Sequence, residues 1–454
     1  MNTSEHIFPE QVILSPGQPA PRLLTLPHPD HDLDPSVWAS ARVMLVGLLM
    51  IAPLLFGAVQ SWAWGGITAL AVALLLLWGI GSTQRGAIRV LWSPLVIPIV
   101  ATAILAATQM VGGASQDYIA TREAFIKLIT YGILFFITQQ LYLSASAKVW
   151  RITGMAVVTY MFGMAVFAMV QYFASPGLLY GRLAESNSVF GPYVNHGNYA
   201  GLMEMLIPIA LTFTIALRWK HFAKAFVLFL TFLSVVSVFL SGSRAGLVSM
   251  AIEFGMVAVV LIWSRSNQRQ LVLAGMVAVC LAVGVSYWLD PGEVWGRWQQ
   301  MASRPELALG NRQTIALDTL RMTRDHLGHG VGLGAFQTAY TPYQTVATAL
   351  SIDYAHNDYL QFIAETGVWG LVLLPLSLAL FFVLAFRHLH QRLHYPQGWL
   401  QLGAAVGVCG LLVHSFSEFN LHIPANAAWF SFLLAIATLP ISHAHHGRRS
   451  HGQS

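Results

Sequence analysis

His356-Asn357-Asp358-Tyr359-Leu360-Gln361-Phe362-Ile363-Ala364-Glu365-Thr366-Gly367-Val368-Trp369-Gly370 lies where the only long loop of this chain runs back into apolar sequence. A His-Asn pair leads, a mostly apolar, helix-like run follows, and glycines at 367 and 370 close the stretch. Small residues there let a neighbouring backbone come close. The stretch therefore places one titratable imidazole at the mouth of a membrane helix, with close packing behind it.

The rest of the chain supplies the membrane. It is 56% hydrophobic and only 9% charged, with a mean hydropathy of +0.61. Soluble domains are about 25% charged, so a soluble fold is excluded. The isoelectric point near 9.2 does not point to nucleic acid, because Lys and Arg are scattered thinly between apolar runs. Cys280 and Cys409 both fall inside apolar segments and read as small buried residues, with no disulfide framework or metal-binding pair.

Runs of spanning length, roughly 20 residues each, occur at 39–60, 62–81, 92–111, 124–143, 151–173, 198–217, 222–240, 245–263, 270–289, 360–386, 399–417 and 425–442. The expected fold is an all-α polytopic membrane protein of about twelve transmembrane helices. Short-loop charge sets its orientation. With the N-terminus cytoplasmic, that side receives Arg85 and Arg89, Lys148 and Arg151, and Arg218, Lys220 and Lys224. It also receives Arg265 and Arg269, Arg387 and Arg392, and Arg448 and Arg449. The short connections on the opposite side carry only Arg122, Lys127, Arg182 and Arg244. Both termini are then cytoplasmic. Residues 1–38 form one tail, 39–442 the membrane domain, and 443–454 a second tail. No signal-peptide pattern opens the chain.

Residues 290–359 fall on the outer side, between helices nine and ten. A structureless loop of that length is uncommon, so the segment is expected to fold over the membrane surface and carry function. Thr314–Asp325 reads as a helix, and Gly328-His329-Gly330-Val331-Gly332-Leu333-Gly334 as a turn or a close backbone approach.

The polar groups of interest gather on this outer side. Arg244, within Ser241-Gly242-Ser243-Arg244-Ala245-Gly246, is either a headgroup anchor or a clamp for a phosphate-bearing ligand, and its small neighbours favour the clamp. Arg312 follows Gly310-Asn311; Arg321 can pair with Asp318 at i,i+3, and Arg182 precedes Glu185 on the same side. Asn195-His196-Gly197-Asn198 opens the sixth helix, where an Asn side chain can simply cap. Glu418, just past helix eleven, is a candidate partner for a site arginine. His356, beside Asn357, is the sharpest candidate: an imidazole with a reference pKa of about 6.5 suits proton removal near neutral pH. Asp353 and Asp358 flank it, and either can orient the ring. No HExxH or Cys/His cluster supports a metal, and no cofactor is expected.

These residues resemble the O-antigen ligase family, polytopic bacterial enzymes whose shared domain also occurs in polysaccharide polymerases and protein O-oligosaccharyltransferases. The family pattern is His, then Asn, Ser or Gln, nine residues, Gly, two residues, Gly; His356, Asn357, Gly367 and Gly370 match it throughout. Ser243-Arg244-Ala245-Gly246 resembles the family's membrane-mouth arginine motif. Gly310-Asn311-Arg312 with His329-Gly330-Val331-Gly332-Leu333-Gly334-Ala335-Phe336 resembles its periplasmic-loop pattern.

The resemblance implies a protein of the bacterial inner membrane. Its site would face the periplasm and transfer a glycan from undecaprenyl diphosphate to an acceptor hydroxyl. By the same resemblance, Arg244 and Arg312 bind the diphosphate and His356 activates the acceptor. The acceptor is lipid A–core for a ligase and a second lipid-linked glycan for a polymerase; a protein-glycosylating member is the least favoured branch. Ligation to lipid A–core is the preferred reading. A transporter is the competing class, with Glu204 and Glu253 as coupling residues inside helices. The loading of one external loop and one face argues against it.

Overall fold

The computed structural model describes residues 23–24, 35–84, 90–183, 189–216, 221–264, 269–289, 305–346 and 352–440. Both tails, the segments 290–304 and 347–351, Glu185 and the charged positions Arg85, Arg89, Arg218, Lys220, Arg265, Arg448 and Arg449 lie outside them.

The chain is an all-α polytopic membrane protein. Nine helices among the described residues are long and apolar enough to cross a membrane. They are α1 (Pro35–Leu54), α2 (Ser61–Gln84), α4 (Tyr118–Tyr142), α5 (Ala147–Ala174), α6 (His196–Ala216), α7 (His221–Ser241), α8 (Arg244–Trp263), α13 (Val368–Phe386) and α15 (Pro396–His414). Shorter apolar stretches are α3 (Val96–Val111), Cys280–Leu289 within α9 (Arg269–Leu289), and α16 (Pro424–Thr438). The outer segment supplies α10 (Pro305–Asp325), α11 (Phe336–Tyr340) and α12 (Asp358–Thr366), and α14 (Leu389–Arg392) links α13 to α15. Strands are confined to two two-residue pairings among the described residues.

Helices α6 and α15 form the centre. Every residue of α6 from Gly197 to Ala210 is buried, whereas α2 turns Leu76 and Ile80 outward. Lipid tails are as apolar as leucine, so helix association there depends on close packing. Glycines provide it: a Cβ on Gly403 would lie 2.7 Å from Ile209 Cα, and one on Gly407 2.5 Å from the Met205 carbonyl oxygen. Cys280 departs from the sequence expectation, being exposed on α9 while Cys409 is buried.

Two apolar runs end earlier than their composition suggests. The first stops at Leu54 because Phe56, Gly57 and Ala58 all take positive φ. The run at 360–386 is not one helix; Gly367 (φ 62°, ψ −140°) divides it into α12 and α13. A side chain at Gly367 would lie 2.5 Å from the Leu327 carbonyl oxygen, to which Val368 N donates at 2.7 Å. The nine-residue α12 buries Asp358, Gln361 and Glu365 as well as apolar groups. It is a polar-cored docking helix, and only Val368 onward has spanning character.

The described part of the 290–359 segment holds a longer helix, Pro305–Asp325, than the Thr314–Asp325 expected from sequence. Ile315, Met322, Val331, Phe336, Tyr340 and Ala364 form a small core of its own. The glycine-rich turn crosses the end of α12: Val331 N and Gly332 N donate to the Ala364 and Glu365 carbonyls at 3.1 and 3.2 Å. These are the acceptors a helix end leaves unpaired. Gly330 (φ 72°) cannot carry a side chain, since its Cβ would meet the Glu365 carbonyl oxygen at 2.2 Å. Gln109 of α3 locks the turn, donating to His329 O at 2.7 Å and Glu365 O at 2.8 Å and accepting from Leu333 N at 3.0 Å.

Substituting Gly407→Val should therefore separate α6 from α15 and cost roughly 1–3 kcal/mol, read as a lowered thermal midpoint in detergent. Gly255→Ala, where no atom lies within 4 Å of the new Cβ, is the matched control and should not lower it.

Candidate active site

The site forms where the N-terminal ends of α6, α8 and α12 meet the turn that follows α15. Asn357 is the N-cap of α12: its Oδ1 accepts from Leu360 N at 2.9 Å, and its Nδ2 donates to Phe416 O at 3.1 Å. Asp358 N donates to Ser415 O at 2.9 Å. The α12 entry is thus stitched to residues 415–416, and His356 takes φ 51°, a conformation uncommon for any residue but glycine.

His356 Nδ1 lies 3.5 Å from Glu418 Oε2, within ion-pair range and longer than a hydrogen bond. The ring packs edge-on against Phe419, centroids 5.1 Å apart, and Phe419 stacks on Tyr354 at 4.3 Å. The other carboxylate oxygen of Glu418 pairs with the Arg312 guanidinium. The Glu418 side chain is only 6% exposed and that of Arg312 42%, so one arginine edge stays open. Burial alone would push the Glu418 carboxyl up. The His356 imidazole and the Arg312 guanidinium, with His414 behind them, outweigh burial and hold it at about 2.

Gly197, one residue into α6, lets this acid approach: a Cβ there would be 3.3 Å from Glu418 Cδ. Asn195 performs the capping role, its Oδ1 accepting from Gly197 N at 2.8 Å, and His196 is the first residue of α6. Arg244 opens α8. Ser243 caps that helix, accepting from Gly246 N at 3.2 Å, and Gly246 packs on Ala200 one turn inside α6, where a Cβ would come within 2.7 Å of Ala200 Cβ. The Arg244 side chain is exposed and unpaired among the described residues.

Two other arginines stand apart from this cluster. Arg321 pairs with Asp318 at 3.1 Å and is 65% exposed. Asp318 also accepts from Thr345 N at 2.9 Å and Tyr340 OH at 3.2 Å, so that pair braces the outer segment. Arg182 sits exposed on a hairpin (Leu178–Leu179 with Arg182–Leu183) whose Tyr180 hydroxyl donates to Leu54 O at 2.6 Å.

Neither aspartate beside His356 orients it. Asp353 accepts from Gln337 at 2.8 Å. Asp358 accepts from Ser415 Oγ at 2.8 Å and faces His422 Nδ1 at 2.8 Å. His422 Nε2 meets Gln361 Nε2 at 3.0 Å, and Gln361 donates to Glu365 at 2.9 Å. This buried network has no local sequence signal except the Asp358, Gln361, Glu365 spacing along one helix face. Among the described residues no group of three His, Cys, Asp or Glu side chains is placed to hold a metal ion.

An arginine-bound carboxylate facing an imidazole at a membrane helix mouth can hold a polyanion and accept a proton beside it. Residues 229–374 match the family model described as O-antigen ligase. That match supports membership of the O-antigen ligase family. The matched domain implies glycosyltransferase-like activity on lipid-linked glycans. The matched segment contains Arg244, Arg312, His356 and Asn357, while Asn195, His196 and Glu418 lie outside it. No curated protein matches the chain.

The depressed Glu418 pKa fixes a pH signature. Its carboxyl titrates near 4.5 when unperturbed and at about 2 in the folded protein. The stabilisation is full above about pH 4.5 and is lost as pH falls toward 2. Glu418→Gln should flatten the thermal midpoint against pH over that window.

Proposed function

We propose that the protein transfers a glycan from undecaprenyl diphosphate to the hydroxyl of lipid A–core on the periplasmic face of the bacterial inner membrane. The observation that carries this reading is the Arg312–Glu418–His356 constellation at one helix mouth. Its orientation, with both termini cytoplasmic, is supported by the arginine and lysine bias of the short loops.

In this mechanism Arg244 and the open edge of Arg312 grip the diphosphate. Guanidinium offers five donors in a planar fork, so Arg312 serves Glu418 and a phosphate oxygen together. Glu418 faces Nδ1 of His356 and leaves Nε2 for the acceptor. Nε2 takes the hydroxyl proton as that oxygen bonds to the anomeric carbon. The bond from that carbon to the diphosphate oxygen breaks, and undecaprenyl diphosphate departs with the electron pair. A single displacement inverts the anomeric centre. The diphosphate is already a competent leaving group, so catalysis needs positioning, charge stabilisation and one base. Polymerisation onto a second lipid-linked glycan uses the same atoms and differs only in the acceptor.

The test is transfer in nanodiscs, with undecaprenyl-diphosphate glycan as donor and lipid A–core or a second lipid-linked repeat offered separately. Product on lipid A–core alone is expected; lengthened lipid-linked chains would make the protein a polymerase. His356→Ala should lower turnover by about 10²–10⁴-fold with donor binding retained. Arg244→Gln should raise the donor KM by about tenfold, the value of roughly 1.4 kcal/mol. Full turnover by His356→Ala would remove the base from the mechanism.

A further inference from the structure

Below the site, ionisable side chains that the transfer chemistry does not use lie inside the helical bundle. His414 Nδ1 is 2.8 Å from Glu204 Oε1, and both side chains are 0% exposed. Glu253 of α8 faces the same seam, so close to Gly410 that a Cβ there would fall 1.6 Å from its Oε1. Gly410 is one turn before His414 on α15. Ionisable groups at membrane depth are costly and mark function more often than packing.

The seam leads directly to the site. Gly197, Gly201 and Glu204 follow one face of α6 at helical spacing. Gly197 lies against Glu418, Gly201 against Asn420, and Glu204 against His414. On the other side, His414 starts the turn that delivers Glu418: its carbonyl accepts from Ser417 N at 2.9 Å and Ser417 Oγ at 3.3 Å. Among the described residues, His414 Nε2 and Glu418 Oε2 are buried without a hydrogen-bond partner. Bases and acids therefore alternate down the seam as His356, Glu418, His414 and Glu204.

We propose that Glu204 and His414 are positioning residues for glycan transfer, fixing the turn that carries Glu418 and supplying the positive end beneath its carboxylate. The proposal rests on the reading of His356 as the base. Glu204 holds the His414 ring through Nδ1, and the ring supports Glu418 from below. Glu418 then keeps its charge, its place between Arg312 and His356, and its hold on the Nδ1 side of the base. A clamp joining α6 to α15 would not need this pair. Those helices already interlock at Gly403 and Gly407, and an apolar pair of the same volume holds helices at least as well as a buried ion pair.

The test compares wild type, Glu204→Gln, His414→Gln, the double variant, Glu253→Gln and His356→Gln in nanodiscs with the same donor and acceptor. Glu204→Gln should lower kcat about ten- to hundred-fold, with the donor KM within about twofold and an unchanged thermal midpoint. The double variant should be no worse than either single, as for residues that act as a unit. Glu253→Gln, which alters an acid at the same depth without touching the pair's hydrogen bond, should keep kcat within about twofold. Wild-type kcat in Glu204→Gln beside an inactive His356→Gln would overturn the positioning role and leave the base intact. So would a loss confined to KM or thermal midpoint, or an equal loss in Glu253→Gln. An active His356→Gln would overturn the base itself, and the positioning role with it.

Discussion

A carboxylate at 6% exposure, at the mouth of a membrane bundle, persists only if opposite charge surrounds it. Glu418 meets that condition by drawing three distant parts of the chain together. Arg312 comes from the outer segment, His356 from the entry to α12, and the space for the acid from Gly197 on α6. Each would be poorly placed without it. Among the described residues, Arg312 would lose its only ion pair, and the left-handed His356 would face no anion. The strain at His356 is held by its flanks, with Asn357 bonded to Phe416 and Asp358 to Ser415.

A second layer of polar contacts makes this arrangement stiff. Gln109 reaches from α3 to the glycine-rich turn, and that turn caps α12. Inside α12, Glu365 accepts from Gly334 N at 2.8 Å, and Gln361 Oε1 accepts from Ala355 N at 3.0 Å. Ala355 immediately precedes His356, so the network extends to the proposed base. A site built this way depends on helix ends and closed hydrogen-bond circuits in place of a free loop, which suits chemistry that needs atoms held to a fraction of an ångström.

The sequence made some of this legible and hid the rest for physical reasons. The His356-Asn357 pair, the arginines at 244 and 312, and the glycines at 330, 332 and 334 signal locally, through residue type and spacing. The break at Gly367 was hidden because Leu360, Phe362, Ile363 and Ala364 make α12 look like part of a membrane span. Its polar face, Asp358, Gln361 and Glu365, emerges only once helical period is imposed on the run. Adjacency could not decide the partner of His356: the flanking aspartates bind elsewhere, and the acid facing its ring is 62 residues on, at Glu418. Glu204 and His414 are 210 residues apart, so only the packing of α6 on α15 reveals them as a pair.

On the proposed reading, charge balance accounts for one site arginine being paired and the other having no partner among the described residues. On the proposed reading, the donor diphosphate arrives as an anion and gains one further negative charge as the sugar leaves. Two free arginines would hold that product more tightly than the substrate and slow its release. Glu418 offsets Arg312 while leaving its outer donors open, and Arg244 keeps its full charge. As the bond breaks, His356 gains the acceptor's proton and becomes positive beside Glu418 and the departing diphosphate. New positive and negative charge then appear together in one low-dielectric site, where such pairing is worth most. The carboxylate that positions the base is thus also the counter-ion that makes its protonation affordable, which is why Glu418, and not a neutral hydrogen-bond acceptor, occupies the centre of the site.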